Sequence, residues 1–538
     1  LVFPLLGFLM SEKFFLEYIH YLSFLEFFFE LNKKNLIIFL SLSLILIFLI
    51  KNLISFLLSF FKYKFTYDLL NYFSVKLFDH YIKNDYMYFT KNNSSLPIRN
   101  IDNVAIFTEG LNQFLFLLIE VLFLFCILFF LFYISFTSTI VLILIILIAF
   151  FSFKALTKKR LILLGDQRQI FLKRKMQTVY ETMQSIKEIK IFFRENYFRQ
   201  KFQTDIKNYS YTGRMFETFQ SIPKVWLEML GILSLSSILI ILINFNENTE
   251  MVISTIAIFG ISAVRIVPSL NRFLSSFQFL THYISIIETT IEELKVYNLG
   301  KFANNNTSIK IINKFQFKDS IEISNLNFSF DKKNILKNLK LEIKKNETIG
   351  IIGKTGSGKS TFANILVGIL KKDTGNIIID KKYELNEVLN HKINLFGYIP
   401  QSTFLLDDSI KRNVSFGENE KDFNSDLFWE CLKIAKIDKY IAGLDKKEDT
   451  IVGERGIKFS GGQVQRLGIA RALYRKPQIL ILDEATSSLD LDTEDSFIEA
   501  ISQMKNKITM IIITHRLSSL KICDKIYKIE NGNLTLNS

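Results

Sequence analysis

The N-terminal part of the chain alternates long apolar runs with charged stretches. The runs approach the roughly 20 apolar residues that a helix needs to cross a bilayer. We therefore predict five membrane-spanning helices, at residues 36–60, 111–133, 139–156, 225–243 and 251–270. The last run is the weakest, because it contains Arg265 and Pro268. This pattern predicts an all-α membrane domain.

A shorter apolar stretch opens the chain at residues 1–10 and is too short to span a bilayer. We interpret it as the remnant of a sixth, truncated helix that comes first in the chain. A cleaved signal peptide is the alternative, but neither a basic leading segment nor a small-residue cleavage site is visible. Residues 11–34 are amphipathic, and we expect them outside, either along the membrane surface or as a packed hairpin.

The charged connections indicate how these helices are oriented. Residues 158–224 carry 15 Lys and Arg against 6 Asp and Glu, and cytoplasmic loops of membrane proteins are rich in Lys and Arg. We therefore expect this loop in the cytosol. Topology then explains the net charge of +14, and a nucleic-acid partner is not required. The three cysteines form no CxxC pair, so neither a disulfide framework nor a zinc site is indicated.

The long connections are predicted to continue the spans as helices. In the second of them, apolar residues recur at helical spacing between charged ones, which indicates a packed helix face. The residues of this predicted face are Met176, Val179, Met183, Ile186, Ile189 and Phe193.

The pattern changes after the last span. A helical stretch runs to about residue 296, and the segment 297–318 is rich in Asn and Lys. From residue 319 onward, strands alternate with helical stretches, beginning with strands at 321–330 and 348–352. We therefore divide the chain into a membrane domain (1–296), a linker (297–318) and an α/β domain (319–538).

A phosphate-binding loop follows the second of these strands, because the sequence there fits G-x-x-x-x-G-K-[ST]. Its glycines let backbone N–H groups surround a phosphate, Lys359 can reach the β- and γ-phosphate oxygens, and Ser360 can ligate Mg²⁺. A helix predicted from Thr361 to residue 370 would point its N-terminus at the anion. The loop residues are Gly353, Lys354, Thr355, Gly356, Ser357, Gly358, Lys359 and Ser360.

Two carboxylates end a buried apolar strand further along the chain. Asp483 is a candidate for holding Mg²⁺, and Glu484 for polarising an attacking water. A strand that ends in Asp-Glu is common by itself, and a solvated strand end is the alternative. The phosphate-binding loop makes the functional interpretation the better one.

The pentapeptide Phe459-Ser460-Gly461-Gly462-Gln463 resembles the signature of the ABC ATPase family, with Phe459 in place of the usual Leu. The resemblance implies an α/β P-loop NTPase fold that binds ATP and Mg²⁺. It also implies that Ser460 and the residues after it contact the γ-phosphate held by a second subunit. Further matches follow the family's order. Phe330 matches the residue that stacks on adenine, Gln401 the residue that senses Mg²⁺, residues 487–490 the loop exchanged between subunits, and His515 the switch histidine.

Residues 452–456 resemble a short loop that is characteristic of ABC exporters, and residues 184–190 and 194–198 resemble an exporter coupling region. The resemblance implies a homodimeric half-transporter in a bacterial inner membrane, with the ATPase in the cytosol. The loops near 86–93 and 194–202 would transmit motion between its domains.

The last span resembles that of bacterial lipid-linked oligosaccharide flippases, which implies a lipid or similar amphipathic substrate. Arg265 and Arg272 are two helical turns apart, so they share a face and are candidates for a substrate cavity, where they would hold an anionic head group. For Arg272, anchoring at the cytosolic surface is the alternative. A peptide or multidrug exporter and a non-transporting ABC ATPase that gates a channel also remain open.

Overall fold

The computed structural model describes residues 33–92, 95–244, 249–304, 315–330, 333–390, 394–485 and 491–537. The chain divides into two compact units. The first, the membrane unit, comprises Leu1–Asn84 and Asn92–Asn305, and the second, the ATPase unit, comprises Asp85–Lys91 and Asn306–Ser538. The amphipathic segment at 11–34 lies almost wholly outside the described residues.

The described part of the membrane unit is helical. Its helices are α1 (Lys33–Ile82), α3 (Ser95–Ile134), α4 (Phe136–Gln184), α5 (Ile186–Ile191), α6 (Glu195–Asn244), α7 (Thr249–His282) and α8 (Ile284–Asn304), while α2 (Tyr86–Lys91) belongs to the ATPase unit. Five of the described helices are long and apolar enough to cross a membrane, and they contain the five predicted spans. The all-α membrane domain is confirmed.

Three of these helices are much longer than a bilayer requires. Helices α1, α4 and α6 have 50, 49 and 50 residues. At 1.5 Å per residue each extends about 75 Å, against about 30 Å of hydrocarbon. The long connections therefore do continue the spans as helices. The membrane unit has an apolar core between α3, α4, α6 and α7, which includes Leu131, Phe153, Ile238 and Phe259.

The predicted packed face at 176–193 is not found within one chain. The helix breaks at Ser185, whose hydroxyl donates to the carbonyl of Glu181 at 2.7 Å, and a new helix begins at Ile186. Of the six apolar residues, Ile189 is buried, whereas the other five are exposed. Spacing revealed the amphipathic face, but it did not reveal what covers it.

The ATPase unit contains two sheets. The first sheet has four strands in the order β2 (Lys333–Lys344), β1 (Ser320–Phe330), β4 (Thr374–Ile379) and β5 (Tyr383–Glu384), and all neighbouring strands are antiparallel. The second sheet, of six strands, has the order β10 (Asn533–Leu536), β9 (Lys525–Glu530), β3 (Thr348–Ile352), β8 (Thr509–Ile513), β7 (Ile479–Asp483) and β6 (Phe396–Ile399). Strands β9, β3, β8, β7 and β6 are parallel, and β10 pairs antiparallel with β9.

The helices of this unit are α9 (Lys359–Leu366), α10 (Leu385–Asn390), α11 (Ile410–Ser415), α12 (Ser425–Ile434), α13 (Asp438–Ala442), α14 (Gly461–Tyr474), α15 (Leu491–Ser502) and α16 (Leu517–Leu520). Helix α9 is shorter than the predicted run to residue 370. It ends because Gly368 adopts φ +78°, a left-handed conformation that terminates helices. The α/β fold is confirmed.

Parallel strands position the chemistry of this unit. In β7 and β8 every residue is buried, which explains why these strands read as continuous apolar runs. The carboxyl ends of parallel strands meet at one edge of a sheet. Residues that follow β3, β6, β7 and β8 are therefore brought together, although long stretches of chain separate them.

The short helix α2 lies in the ATPase unit although it comes between two membrane helices in the sequence. Met87 packs against the hydrophobic core of this unit, and the Lys371 ammonium lies 2.7 Å from the Asp85 carboxylate. Helix α2 thus brings one of the two segments predicted to transmit motion, the one near 86–93, into contact with the ATPase fold.

Candidate nucleotide-binding site

The phosphate-binding loop connects β3 to α9, and its backbone requires glycine. Gly353, Gly356 and Gly358 have φ of +156°, +80° and +106°, which residues with a side chain rarely adopt. A Cβ at Gly353 would also lie 2.4 Å from the carbonyl oxygen of Ile529. The loop is therefore built so that its N–H groups can approach a ligand closely.

Lys359 is the buried cation at the centre of the site, with a side chain only 4% exposed. Its ammonium donates to the carbonyls of Gly353 at 2.9 Å and Lys354 at 3.1 Å. Burial lowers the pKa of Lys359, while the carboxylates of Glu484 and Asp483 oppose that shift. An ammonium held in this way fits the oxygens of a phosphate chain.

Asp483 is buried at the end of β7 and accepts two hydrogen bonds. The Ser360 hydroxyl donates to one carboxylate oxygen at 3.1 Å, and the Tyr398 hydroxyl donates to the other at 3.0 Å. Burial raises the pKa of Asp483, and these two donors oppose the shift. Hydroxyl and carboxylate oxygens are ligands that Mg²⁺ accepts.

Glu484 follows directly and is held between Gln401 and His515. The Gln401 amide donates to one carboxylate oxygen at 3.0 Å. The other oxygen lies 3.1 Å from His515 Nε2 and 3.8 Å from Lys359 Nζ. Because His515 Nε2 is also 2.9 Å from Lys359 Nζ, it can accept from the ammonium or donate to Glu484, but not both at once.

Four further residues predicted to contact ATP lie in or near the phosphate-binding loop or at the end of β1. Ser357 Oγ is buried and has no hydrogen-bond partner among the described residues, so its hydroxyl is available to a bound phosphate. Thr355 is exposed and Thr361 half-buried at the start of α9. Phe330 ends β1 and packs edge-on against Phe328, with ring centroids 4.9 Å apart.

The signature segment forms the N-terminus of α14. The Ser460 side chain accepts from the Gln463 amide at 3.3 Å, and the Gln463 side chain accepts from the Ser460 amide at 2.9 Å, a reciprocal capping box. Ser460 and Gly461 are exposed and Gly462 is half-buried. Among the described residues, no hydrogen bond joins Ser460 or Gln463 to the phosphate-binding loop. The predicted exchange loop at 487–490 lies outside the described residues.

Sequence reasoning missed two contributors. Tyr398 lies three residues before Gln401, and only the fold shows that its hydroxyl reaches Asp483. Glu494 on α15 is buried and accepts from the side chains of Arg516 and Ser518, so it anchors the segment that carries His515. No motif marks Glu494, since its partners come from a different part of the chain.

The two candidate cargo residues lie apart from this site, on α7. Arg272 pairs with the buried Glu120 of α3, to which its Nη2 donates at 3.2 Å, and Ser269 donates to the same carboxylate. Arg265 is exposed. Neither arginine lines the cavity of about 410 Å³ that the structure contains between α3, α4, α6 and α7.

Comparison with known proteins agrees with this architecture. Residues 336–487 match the family described as ABC transporter, and residues 19–267 match the ABC transporter transmembrane region. The structure of a bacterial Atm1-family ABC exporter with ATP bound shares the fold, with a TM-score of 0.73 at 20% identity over 88% of this chain and 82% of that chain.

Curated bacterial relatives match in part. A "Putative export ATP-binding/permease protein" of Rickettsia typhi is 34% identical over 48% of this chain and 44% of its own length. A "Putative multidrug export ATP-binding/permease protein" of Bacillus subtilis is 35% identical over 41% of this chain and 38% of its own length. These matches thus span less than half the length of either relative.

Fold and site together define a multi-pass membrane protein with a C-terminal ATP-binding domain. The two matched segments are the transmembrane region and the ATP-binding region of ABC transporters, in that order along the chain, and the chain shares the fold of the exporter structure.

Proposed function

We propose that this chain is one half of an ATP-driven exporter or flippase, and that two copies form the working homodimer. The observation that carries the proposal is the convergence of Lys359, Glu484 and His515 within 4 Å of one another, at the edge where the phosphate-binding loop begins. Such an arrangement positions a cation, a base and a histidine around one phosphate chain.

Each residue has a role in ATP hydrolysis. Lys359 and the loop amides would hold the phosphates, and Phe330 would stack on the adenine. Glu484, held by Gln401, would polarise the attacking water, and His515 would lie near the γ-phosphate. Ser360, Asp483 and Gln401 would hold Mg²⁺, which supplies positive charge to neutralise the phosphate oxygens.

The exposed signature segment supports a second copy. Ser460, Gly461, Gly462 and Gln463 form a helix N-terminus whose amides are suited to an anion. Within the part of the chain that the structure describes, neither Ser460 nor Gln463 has a hydrogen bond to the phosphate-binding loop. The exposed apolar residues Met176 and Met183 of α4 and Ile186 of α5 also support a second copy, because one chain leaves them uncovered. Two-fold symmetry would give two equivalent sites.

For the cargo we propose a lipid-linked oligosaccharide or a similar amphipathic lipid with an anionic head. Arg265 is exposed on a helix long and apolar enough to cross a membrane, where insertion of an arginine costs roughly 2.5 to 3.5 kcal/mol. A planar guanidinium can grip a pyrophosphate with two hydrogen bonds. Arg272 supports the same anionic preference less directly, since Glu120 already neutralises it.

Transport by Arg265→Ala tests the cargo. We expect the variant to lose flipping of a lipid-pyrophosphate-linked sugar in proteoliposomes while it retains ATP hydrolysis. Lys224→Ala, which removes an exposed cation from α6, serves as the control and should flip normally.

Normal flipping by Arg265→Ala would contradict the role of that residue. If the parent ignores such lipids and moves a hydrophobic drug, the multidrug exporter that one relative's name suggests becomes the better description.

A further inference from the structure

A cavity of about 410 Å³ lies among α3, α4, α6 and α7 of the membrane unit. Its described walls are aliphatic, aromatic or glycine, apart from Ser234, whose hydroxyl donates to the carbonyl of Gly231 at 2.8 Å. The volume falls within the range of about 300–1,000 Å³ that is typical of ligand sites. Because the one lining hydroxyl is satisfied, water would find too few hydrogen-bond partners there.

The mouth of the cavity is formed by exposed residues. Val121 and Phe125 of α3 and Leu147 of α4 line the cavity and are exposed in the chain. Their neighbours Phe129 and Ile148 are exposed as well, so the opening is continuous with an apolar surface. Both helices are apolar enough to cross a membrane, and the medium at such a surface is the hydrocarbon of the bilayer.

The cations of α7 point away from this cavity. At 100° per residue, Arg265 and Arg272 lie roughly 150° around the helix from the face that carries Ile266, Val267 and Leu270. Those three residues line the cavity, whereas the two arginines do not. The cavity therefore presents an uncharged surface, which suits a hydrocarbon chain rather than a charged head group.

We propose that this cavity binds an acyl chain of a bilayer lipid, which enters between α3 and α4 and packs against the buried wall of α6 and α7. Ile238, Phe259 and Leu274 form part of that wall and are almost fully buried. An acyl chain in this position restores the dispersion contacts that the residues lining an unfilled apolar cavity lack. The lipid is a resident component, distinct from the transported cargo.

Photolabelling of the purified full chain in phosphatidylcholine nanodiscs tests this proposal. A fraction of the lipid carries a diazirine midway along one acyl chain, and mass spectrometry locates the crosslinks. We expect crosslinks at Ile238, Phe259 or Leu274, as well as at the exposed Phe129. Crosslinks confined to exposed residues would overturn the proposal.

A matched pair of glycine variants separates the cavity from the general surface. A Cβ at Gly231, which lines the cavity, has its nearest contact with Val267 at 3.5 Å, and a Cβ at Gly260 of α7 meets nothing within 4 Å. Gly231→Leu should lose the crosslinks to the buried wall and keep those at Phe129, whereas Gly260→Leu should label like the parent. Unchanged wall labelling in Gly231→Leu contradicts the proposal. Ala263→Leu, which fills the cavity from α7, replaces Gly231→Leu if that variant does not fold.

A competition distinguishes a resident lipid from cargo. Excess lipid-pyrophosphate-linked sugar, added without ATP, should leave the wall labelling unchanged. Loss of labelling would overturn the assignment of a resident lipid and would indicate that the cavity binds the cargo. Because the labelling needs no ATP hydrolysis, its outcome is independent of whether the proposed transport is found.

Discussion

At the residue scale, the backbone of Glu484 is the feature that most directly concerns catalysis. Its φ of +51° lies in the left-handed region, which residues with a side chain adopt at a cost. The Glu484 amide donates to the carbonyl of Ile513 at 2.8 Å, so β8 holds the residue in that conformation. In this conformation, the Glu484 carboxylate contacts Gln401 and His515 and lies 3.8 Å from the Lys359 ammonium.

Glu484→Gln is expected to bind ATP and to hydrolyse it about 10²–10⁴-fold more slowly, because the change removes a general base but keeps the size of the side chain. Nucleotide binding and steady-state phosphate release, measured on the same preparation, check this. Glu430→Gln, at an exposed position of α12, is the control and should hydrolyse ATP like the parent. Near-normal turnover in Glu484→Gln would assign the base elsewhere.

At the scale of elements, the crossing of α4 and α7 depends on a glycine. A Cβ at Gly165 would lie 1.9 Å from the carbonyl oxygen of His282, which leaves no room for any side chain. The His282 ring stacks on Phe216 of α6, with centroids 4.0 Å apart, and its Nδ1 lies 3.1 Å from the carbonyl oxygen of Leu161. Three helices, α4, α6 and α7, therefore meet at His282.

Gly165→Ala should destabilise the membrane unit, because α4 and α7 must separate to admit the methyl group. Overpacking of this kind costs about 1–3 kcal/mol, so we expect a lower unfolding temperature for the purified protein in detergent. Gly260→Ala, where the methyl group meets nothing within 4 Å, should be as stable as the parent or slightly more stable. Equal unfolding temperatures for the two variants would show that the helices separate at no cost.

At the scale of the whole molecule, the phosphate-binding loop and the signature segment are not joined by hydrogen bonds among the described residues of one chain. The phosphate-binding loop and Glu484 form one hydrogen-bonded cluster, whereas among the described residues the side-chain oxygens of Ser460 and Gln463 accept only from each other's backbone amides. The proposed homodimer would join the loop of one copy to the signature of the other.

Mixing two inactive variants tests this arrangement. Lys359→Ala lacks the phosphate-binding cation and Ser460→Arg blocks the signature, so each homodimer should be inactive. Heterodimers should recover ATPase activity, because one of their two sites combines an intact loop with an intact signature. The measurement uses two affinity tags to isolate heterodimers. Inactive heterodimers of confirmed composition would count against a site made by two copies, or show that both sites must act together.

The amino-acid sequence by itself determined the local features. Apolar runs predicted the five spans, and the phosphate-binding motif predicted a strand, a glycine-rich loop and a helix, because these depend on neighbours within a few residues. The alternation of strands and helical stretches after residue 319 indicated the α/β fold. The same local reasoning located Glu484 at a strand end, but it gave no distance between Glu484 and His515.

Only the tertiary structure decided which distant residues meet. The contacts of Tyr398 with Asp483, of Arg516 with Glu494 and of Arg272 with Glu120 join separate elements, so no periodicity or spacing could reveal them. The break at Ser185 and the apolar cavity are likewise properties of packed helices. Sequence patterns record which face of an element is apolar, whereas three-dimensional packing decides what that face contacts.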